Sequence, residues 1–284
     1  MYFSLVSFLA KVLSVCLLAF GNLLIIHQDL IAQVSIAPTA VFMTDENPFQ
    51  NLIVSNGSDT PQEISIDFRF GYPVSDEMGN ISMHYDTTAH ESSLTENINA
   101  FPRNFILDPG ERQTVRIAAR GFGGFEEGTY WARVAVLASP LSPPVETVAD
   151  DAIAARITMN FEQIIPAFFR RGEVSTGVNL NDIRFYQDGD QGRFVFDLER
   201  IGNSPYIGSI AARIFDADGN EMMEQTSNIS VYYDMLRSMT INLSELTAGD
   251  YRAEFTLQTQ RRDISRERMI QVPPIQQTLD FSVE

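Results

Sequence analysis

Residues 101–138 read FPRNFILDPGERQTVRIAARGFGGFEEGTYWARVAVLA, and this stretch decides the fold. The DPGE sequence at 108–111 predicts a tight turn, because proline presets the first central φ and glycine tolerates a positive φ. Residues 113–119 alternate with the period of a β-strand. Residues 130–138 predict a second strand, which carries the only tryptophan, Trp131. Two strands separated by a glycine-rich loop, with a large aromatic side chain for the core, are typical of a β-sandwich.

The same stretch resembles the N-terminal domain of the periplasmic pilus-assembly chaperones. The residues that carry the resemblance are ILDPGERQTVRI at 106–117 and GTYWARVAVLASP at 128–140. Residues 52–68, LIVSNGSDTPQEISIDF, are similar to the second and third strands of that family around an Asn-x-Ser-x-x-Pro corner. As a pattern the resemblance covers roughly residues 34–161, a span typical of one domain. It implies an immunoglobulin-like β-sandwich.

Residues 1–32 have the pattern of a secretory signal peptide. Lys11 precedes a nearly all-apolar run at 12–26, and Ala32 is a small residue before a cut that would make Gln33 the mature start. The apolar run is also close to the length of a membrane-spanning helix, so a retained anchor is the alternative. We expect cleavage, with no stable membrane insertion afterwards, and the chaperone resemblance implies the periplasm as the destination.

The chain is strongly acidic, with a formal net charge of −17 at pH 7. Lys11 is its only lysine, so the other permanently cationic side chains are arginines. Such a surface lacks the basic footprint that phosphate binding needs, and we expect no nucleic acid partner. Cys16 is the only cysteine and lies in the predicted signal, so we expect no disulfide in the mature chain.

The residues before 101–138 also show patterns that predict strands. Residues 34–42 predict a first strand that Pro38 interrupts, which confines it to an edge or a bulge. Residues 63–72 show the clearest inside/outside alternation in the chain. The apolar residues predicted to share one face of this strand are Ile64, Ile66, Phe68 and Phe70.

Residues 72–100 have no strong period and predict a long polar loop. The loop contains both histidines of the predicted mature chain, His84 and His90, which we expect to be exposed to solvent. Together with Asp86 and Glu91 they are candidate metal ligands, but their spacing matches no closed zinc pattern. We therefore expect no metal and no cofactor.

The second half repeats the strand pattern without repeating the sequence. Residues 155–161 predict the last strand of the first domain, and we place the domain boundary near 166–173. Seven later strands separated by turn signals predict a second sandwich. They are residues 182–186, 193–199, 207–215, 229–233, 238–243, 251–259 and 278–283. The expected organisation is all-β: a signal peptide at 1–32 and two tandem immunoglobulin-like sandwiches at 33–165 and 172–284.

The sequence offers no recognisable catalytic motif. It contains no nucleophile elbow, P-loop, dinucleotide fingerprint or HExxH. Histidine, the usual general base, occurs in the predicted mature chain only in the predicted loop. We therefore expect a binding protein and not an enzyme.

The resemblance implies a chaperone that lends the last strand of its first domain to an incomplete secreted subunit and delivers that subunit for assembly. The mechanism is strand addition, in which main-chain hydrogen bonds give affinity and alternate side chains fill a groove. The lending strand here would be 149–161, although Asp151 interrupts its apolar face. The residues expected to bind the subunit are Ile153, Ile157, Met159 and Phe161. The implied partners are pilin-like or other secreted β subunits, with an outer-membrane usher as a further candidate.

The family also anchors the terminal carboxylate of the subunit with two cations in the cleft between the domains. The aligned positions in this chain are Thr39 and Thr158, which are uncharged, and Arg156 lies near the second. These three residues are the candidate cleft anchors.

The alternative function is a secreted structural or adhesive protein that uses the two sandwiches as spacers or binding modules. Ile157, Met159 and Phe161 would then be ordinary core residues, as is common for an alternating strand. The two hypotheses differ in whether this strand presents an exposed apolar edge, which soluble monomers avoid unless it serves pairing.

Overall fold

A computed structural model describes residues 34–86, 90–141 and 159–284, and nearly all of their secondary structure is β. The all-β fold predicted from the sequence is confirmed. No helix in these ranges is long and apolar enough to cross a membrane. The predicted signal peptide at 1–32 lies outside the described residues.

Ten strands build the first sandwich. They are β1 (Val34–Ala37), β2 (Val41–Thr44), β3 (Phe49–Asn56), β4 (Gln62–Ser75), β5 (Ile81–Asp86), β6 (Ile98–Phe101), β7 (Asn104–Leu107), β8 (Arg112–Ala119), β9 (Gly128–Pro140) and β10 (Phe161–Arg171). One sheet has the order β1-β3-β8-β6, and the other has the order β2-β10-β9-β4-β5, with β7 paired to β4. The predicted break at Pro38 lies where the chain changes sheets, since β1 pairs with β3 and β2 pairs with β10.

The second sandwich contains all seven strands predicted for it. They are β11 (Thr176–Asp188), β12 (Gln191–Gly202), β13 (Tyr206–Phe215), β14 (Glu221–Val231), β15 (Met235–Asn242), β16 (Gly249–Gln258) and β17 (Ile275–Val283). Its sheets have the orders β11-β12-β15 and β14-β13-β16-β17. Each sandwich buries its own apolar core, the first around Leu52, Ile64 and Val134 and the second around Phe196 and Phe255.

The prediction of a loop at 72–100 is wrong. β4 continues to Ser75 and forms a hairpin with β5, and β6 begins at Ile98. β5 does alternate, with Ile81 and Met83 between polar neighbours, but the run is short and every side chain except the last is exposed. A strand with so little burial has almost no hydrophobic signal in the sequence.

Two further expectations need correction. Phe70 does not join the core face of Ile64, because β4 leaves β9 after Arg69 and pairs only with β5 from Phe70 onward. Of the strand predicted at 155–161, residues 155–158 lie outside the described residues, and the last described strand of the first sandwich runs from Phe161 to Arg171, so Pro166 lies inside a strand. The domain limits 33–165 and 172–284 stay predictions, and residues Val34–Glu284 cluster as one compact unit.

The Asn56 side chain closes the corner between β3 and β4. Asn56 is buried, and its amide donates to the carbonyl oxygens of Thr60 (2.9 Å) and Leu107 (3.0 Å). Its side-chain oxygen accepts hydrogen bonds from the backbone N–H and the hydroxyl of Ser58. One amide therefore joins β3, the turn and β7, which explains why the corner needs asparagine.

Replacing Asn56 by alanine should lower the free energy of unfolding by about 2–3 kcal/mol, because buried carbonyl and N–H groups lose their partners. Urea unfolding followed by Trp131 fluorescence measures this. Asn51→Ala, on the exposed face of the same strand, is the control and should change stability by less than about 0.5 kcal/mol. Equal effects of the two substitutions would contradict the assigned role of the corner.

Candidate functional site

β10 has one covered edge and one edge that is only half covered. It pairs antiparallel with β9 over its whole length, from Phe161 opposite Ala138 to Arg171 opposite Gly128. On its other side it pairs with β2, in parallel, only from Ala167 to Arg170. Among the described residues no strand covers the edge at 161–166. This edge therefore presents backbone groups that can pair with another chain.

The side chains of β10 change from buried to exposed along one face. Ile165, Ala167 and Phe169 lie in the core of the first sandwich. Gln163 and Phe161 continue the alternation of this face, and Met159 lies two residues before the strand begins. Gln163 donates to the carbonyl oxygen of Val34 (2.6 Å) at the end of the core. Beyond that point Phe161 is 43% exposed and Met159 is 72% exposed. The apolar side chains of Phe161 and Met159 therefore lie exposed beyond the part of β10 that is buried in the core.

Of the four predicted subunit-binding residues, Met159 and Phe161 are described and lie on this exposed continuation. Ile153 and Ile157 lie outside the described residues. Sequence reasoning missed Ile164, which is 37% exposed on the opposite face of the same open segment. The neighbouring Glu162 forms an ion pair with Arg69 at 2.6 Å, so this opposite face is partly polar.

An apolar cluster joins the two sandwiches, and Trp131 lies in it instead of in a sandwich core. The first sandwich contributes Ala40, Phe42, Phe70, Trp131 and Phe168, and the second contributes Ile207, Tyr232, Ile264 and Met269. We call this the inter-sandwich cluster. Trp131 and Tyr232 meet edge to face at 5.0 Å, a favoured aromatic geometry. The cluster also includes an unfavourable feature, because the buried Trp131 Nε1 has no hydrogen-bond partner among the described residues.

The β4–β5 hairpin provides a second contact between the sandwiches. Its tip is the sequence DEMGN at 76–80, and the carbonyl oxygen of Gly79 accepts bonds from the backbone N–H and the hydroxyl of Ser238, each at 3.0 Å. Arg193 donates to the Asn80 side chain at 2.7 Å. The hairpin therefore docks against the edge strand β15 of the second sandwich.

His90 is half-buried at this contact, and the expectation that both histidines are exposed is wrong for it. Its ring stacks on Phe70 at 4.7 Å, and its Nδ1 accepts a hydrogen bond from the Ser92 N–H. Its Nε2 lies 3.1 Å from the Tyr233 hydroxyl of the second sandwich. Burial raises the pKa of Tyr233 to about 12, so this hydroxyl stays protonated at neutral pH. No group of three or more His, Cys, Asp or Glu in the described ranges is placed to hold a metal ion.

A cavity of about 250 Å³ lies in the cleft between the sandwiches. Its cationic lining residues are Arg133 of β9 and Arg237 of β15. Arg133 is buried, donates from Nε to the Gly71 carbonyl oxygen at 3.0 Å, and lies 5.0 Å above the Tyr232 ring. Burial lowers the pKa of Arg237. Within the described part of the chain neither arginine forms an ion pair, so the cleft holds two uncompensated cations.

Of the three predicted cleft anchors, only Thr39 lies in the described residues. Thr39 donates from its hydroxyl to the Asp263 carbonyl oxygen at 3.0 Å, so it is part of the contact between the sandwiches. Arg156 and Thr158 lie outside the described residues. Sequence reasoning missed Arg133, although one arginine inside the apolar strand YWARVAVLA is a usable signal. Arg133 lies directly opposite Pro166, at the end of the open edge of β10.

Arg170 is a third cation at this junction. Its guanidinium lies 5.0 Å from the Phe42 ring centre and donates to the Arg268 carbonyl oxygen at 2.8 Å. Its buried Nε has no hydrogen-bond partner in the part of the chain that the structure describes. Burial, with a smaller contribution from nearby Arg268, lowers the pKa of Arg170 to about 10. The inter-sandwich contact therefore includes a buried cation that has lost much of its hydration.

Several known structures with a similar fold are chaperones. The YadV chaperone is 12% identical with a TM-score of 0.44, and the match covers 88% of this chain and 100% of that one. DraB of E. coli is 14% identical (TM-score 0.41; 88% and 95% covered). SafB of Salmonella enterica, in complex with the SafA pilin, is 14% identical (TM-score 0.42; 87% and 96% covered). No family model matches the chain, and no curated protein matches its sequence.

Gly79 provides a test of how the hairpin holds the two sandwiches together. Its φ is +72°, and a Cβ there would lie 2.6 Å from the Ser238 backbone nitrogen. Gly219 occupies the same place in a second turn, DADGN at 216–220, with φ +86° and no atom within 4 Å. Gly79→Ala should destabilise the protein by about 2 kcal/mol more than Gly219→Ala, because both substitutions carry the cost of positive φ but only the first disrupts the contact.

Urea unfolding measures the total effect of each substitution. Small-angle scattering of the native state shows whether Gly79→Ala also lets the sandwiches separate, which should appear as a larger radius of gyration. If Gly79→Ala and Gly219→Ala destabilise equally, the docking of the hairpin on β15 contributes nothing.

Proposed function

We propose that this protein is a chaperone that binds a secreted β subunit by strand addition along the open edge of β10. The single observation that carries the proposal is the face of β10 that is core at Ile165 and exposed at Phe161 and Met159. Soluble proteins usually protect such edges. An exposed apolar strand edge that continues a core face is suited to completing the core of another protein.

An added strand would obtain two kinds of contact here. The free backbone groups of residues 161–166 supply main-chain hydrogen bonds, which are independent of the subunit's sequence. Phe161 and Met159 supply apolar side chains to a groove in the subunit, with about 25 cal/mol gained for each Å² of apolar surface removed from water. We infer that Ile153 and Ile157 extend this series.

We further propose that the cleft holds the terminal carboxylate of the subunit. Arg133 and Arg237 supply the two cations that the uncharged Thr39 and Thr158 do not. A carboxylate placed there would compensate two arginines that have no acidic partner, in a partly buried site where charge-assisted hydrogen bonds are strong. Arg133 lies opposite Pro166 across the β9–β10 pairing, so this cation is level with the residue at which the open edge ends.

The rest of the proposal follows from this binding role. Such a chaperone acts on exported subunits, so we infer a periplasmic location after removal of residues 1–32. It needs no cofactor and carries out no reaction. Delivery to an outer-membrane usher is a prediction that the described residues do not test.

Phe161→Arg should release the subunit. The tagged full-length chain is produced in its own cells, captured from the periplasmic fraction, and analysed by mass spectrometry for stoichiometric partners. Wild type should retain a small β-rich partner, and Phe161→Arg should retain less than a tenth of it, because a charge cannot enter an apolar groove without a large cost. Met222→Arg, at an equally exposed apolar residue of β14, is the control.

Recovery of the protein alone and monomeric, or at the cell surface, would support the spacer or adhesin alternative. Retention of the partner by Phe161→Arg would place the binding site elsewhere.

Arg133→Gln should weaken the same complex about tenfold or more, since it removes one cation from the proposed carboxylate site. Arg237→Gln is the second variant, because Arg133 is buried and its replacement also disturbs the Tyr232 contact. Arg184→Gln, on the exposed face of β11, is the control. Dissociation constants are measured by titrating the purified subunit. If neither cleft variant changes the affinity, the cleft does not bind the terminal carboxylate of the subunit. That result would not contradict strand addition along β10.

A further inference from the structure

The outer face of the sheet β1-β3-β8-β6 has a composition unlike the rest of the protein. Its residues are those that alternate with the buried core positions of the four strands. They are Ser35, Ala37, Phe49, Asn51, Ile53, Ser55, Asn99, Phe101, Arg112, Thr114, Arg116 and Ala118. Not one of these described positions is acidic, although the chain contains 37 Asp and Glu against 20 Lys and Arg. We call this surface the arginine face.

Arginines recur along the middle of this face at intervals of four residues. Arg112 and Arg116 point outward from β8, and Arg120, one residue beyond the strand, continues the spacing. Four residues of a strand span about 13 Å. All three side chains are exposed, and in the described part of the chain none of them forms an ion pair. By contrast, exposed Arg69, Arg213 and Arg252 do pair with carboxylates.

Large apolar side chains lie between these charges. Phe101 is 80% exposed and pairs across the strands with Arg116. The Arg116 guanidinium lies 3.8 Å from the centre of the Phe49 ring, which is itself 44% exposed, as Ile53 is 43%. Aromatic and arginine side chains with few acids are the composition of interface centres. Stacking on Phe49 also orders the Arg116 guanidinium, so this side chain loses less conformational entropy when it binds a ligand.

We propose that the arginine face is a docking surface for an acidic, extended polypeptide segment of another protein. The partner must be acidic, because the charged side chains of this surface are all cations and none of its described positions carries a carboxylate to compensate them. A polypeptide fits better than a polyanionic glycan, because the phenylalanines need apolar partners and the net charge of −17 repels a uniformly charged polymer. The favoured segment has carboxylates on one side about 13 Å apart, with apolar residues between them. The surface is on the sheet opposite β10, so this inference does not rest on the proposed function.

A designed peptide tests the surface directly. It has glutamate at its first, fifth and ninth positions, phenylalanine at its third and seventh, and threonine elsewhere, and it carries a fluorophore for anisotropy with the full-length protein at low salt. We expect saturable binding, weakened about tenfold or more by Arg116→Glu and by Arg112→Glu, and weakened by raised salt. The Arg116 side chain is exposed and lies over the exposed Phe49 ring, so its replacement should leave the fold intact, as circular dichroism can verify. Arg184→Glu on β11 is the control and should bind like wild type.

Four results would overturn the proposal: no binding to wild type, equal binding to Arg116→Glu, equal binding of a peptide with glutamine in place of glutamate, or tighter binding of heparin than of the peptide. Sedimentation velocity adds a fifth. If the wild type self-associates and Arg116→Glu does not, the face is an interface between copies of this chain and not a site for an acidic partner. None of these outcomes affects the Phe161→Arg test.

Discussion

The pairing of β10 is the constraint on which the rest of the molecule depends. This strand closes the first sandwich by bonding to β9 over its full length, and it uses its other edge for β2 only over residues 167–170. The remaining edge stays open because the chain between β1 and β2 changes sheets at Pro38. The same sheet change that completes the sandwich at one end of β10 therefore exposes backbone and apolar side chains at the other.

The contact between the sandwiches is built less favourably than the cores that it joins. It buries Trp131 Nε1 and Arg170 Nε without hydrogen-bond partners within residues 34–86, 90–141 and 159–284, and each such group costs about 1–3 kcal/mol. The docked hairpin at Gly79 and the His90–Tyr233 contact compensate for part of this cost. A contact of this kind fixes an orientation, and with it the cleft cavity, without fusing the two cores into one. The two cations in the cleft thus lie where the structure is least well satisfied.

The sequence allowed the fold to be predicted wherever one face of a strand is buried and the other exposed. The alternation at 113–119 and the turn signals of the second half identified strands that the structure contains. The two-residue period of a strand shows that a face is apolar but not which part of the protein covers it. The sequence therefore predicts Trp131 and Phe70 in a sandwich core, whereas they pack between the sandwiches. Sequence reasoning missed β5 because its alternation covers only six residues, whose side chains are nearly all exposed. Arg133 and Arg237 could not be paired from sequence, since only the fold brings β9 and β15 to one cleft.

The parallel arrangement of β2 beside β10 has a geometric consequence. Val41 begins to occupy the edge of β10 at Ala167, so the free segment has a wall at one end. A strand lying in that segment in the same direction as β2 would meet this wall with its carboxyl end. It could not slide further, and its alignment would be counted from its last residue. β2 would then fix the register of the added strand from its carboxyl end, so that the end of a chain could bind there and an interior segment could not.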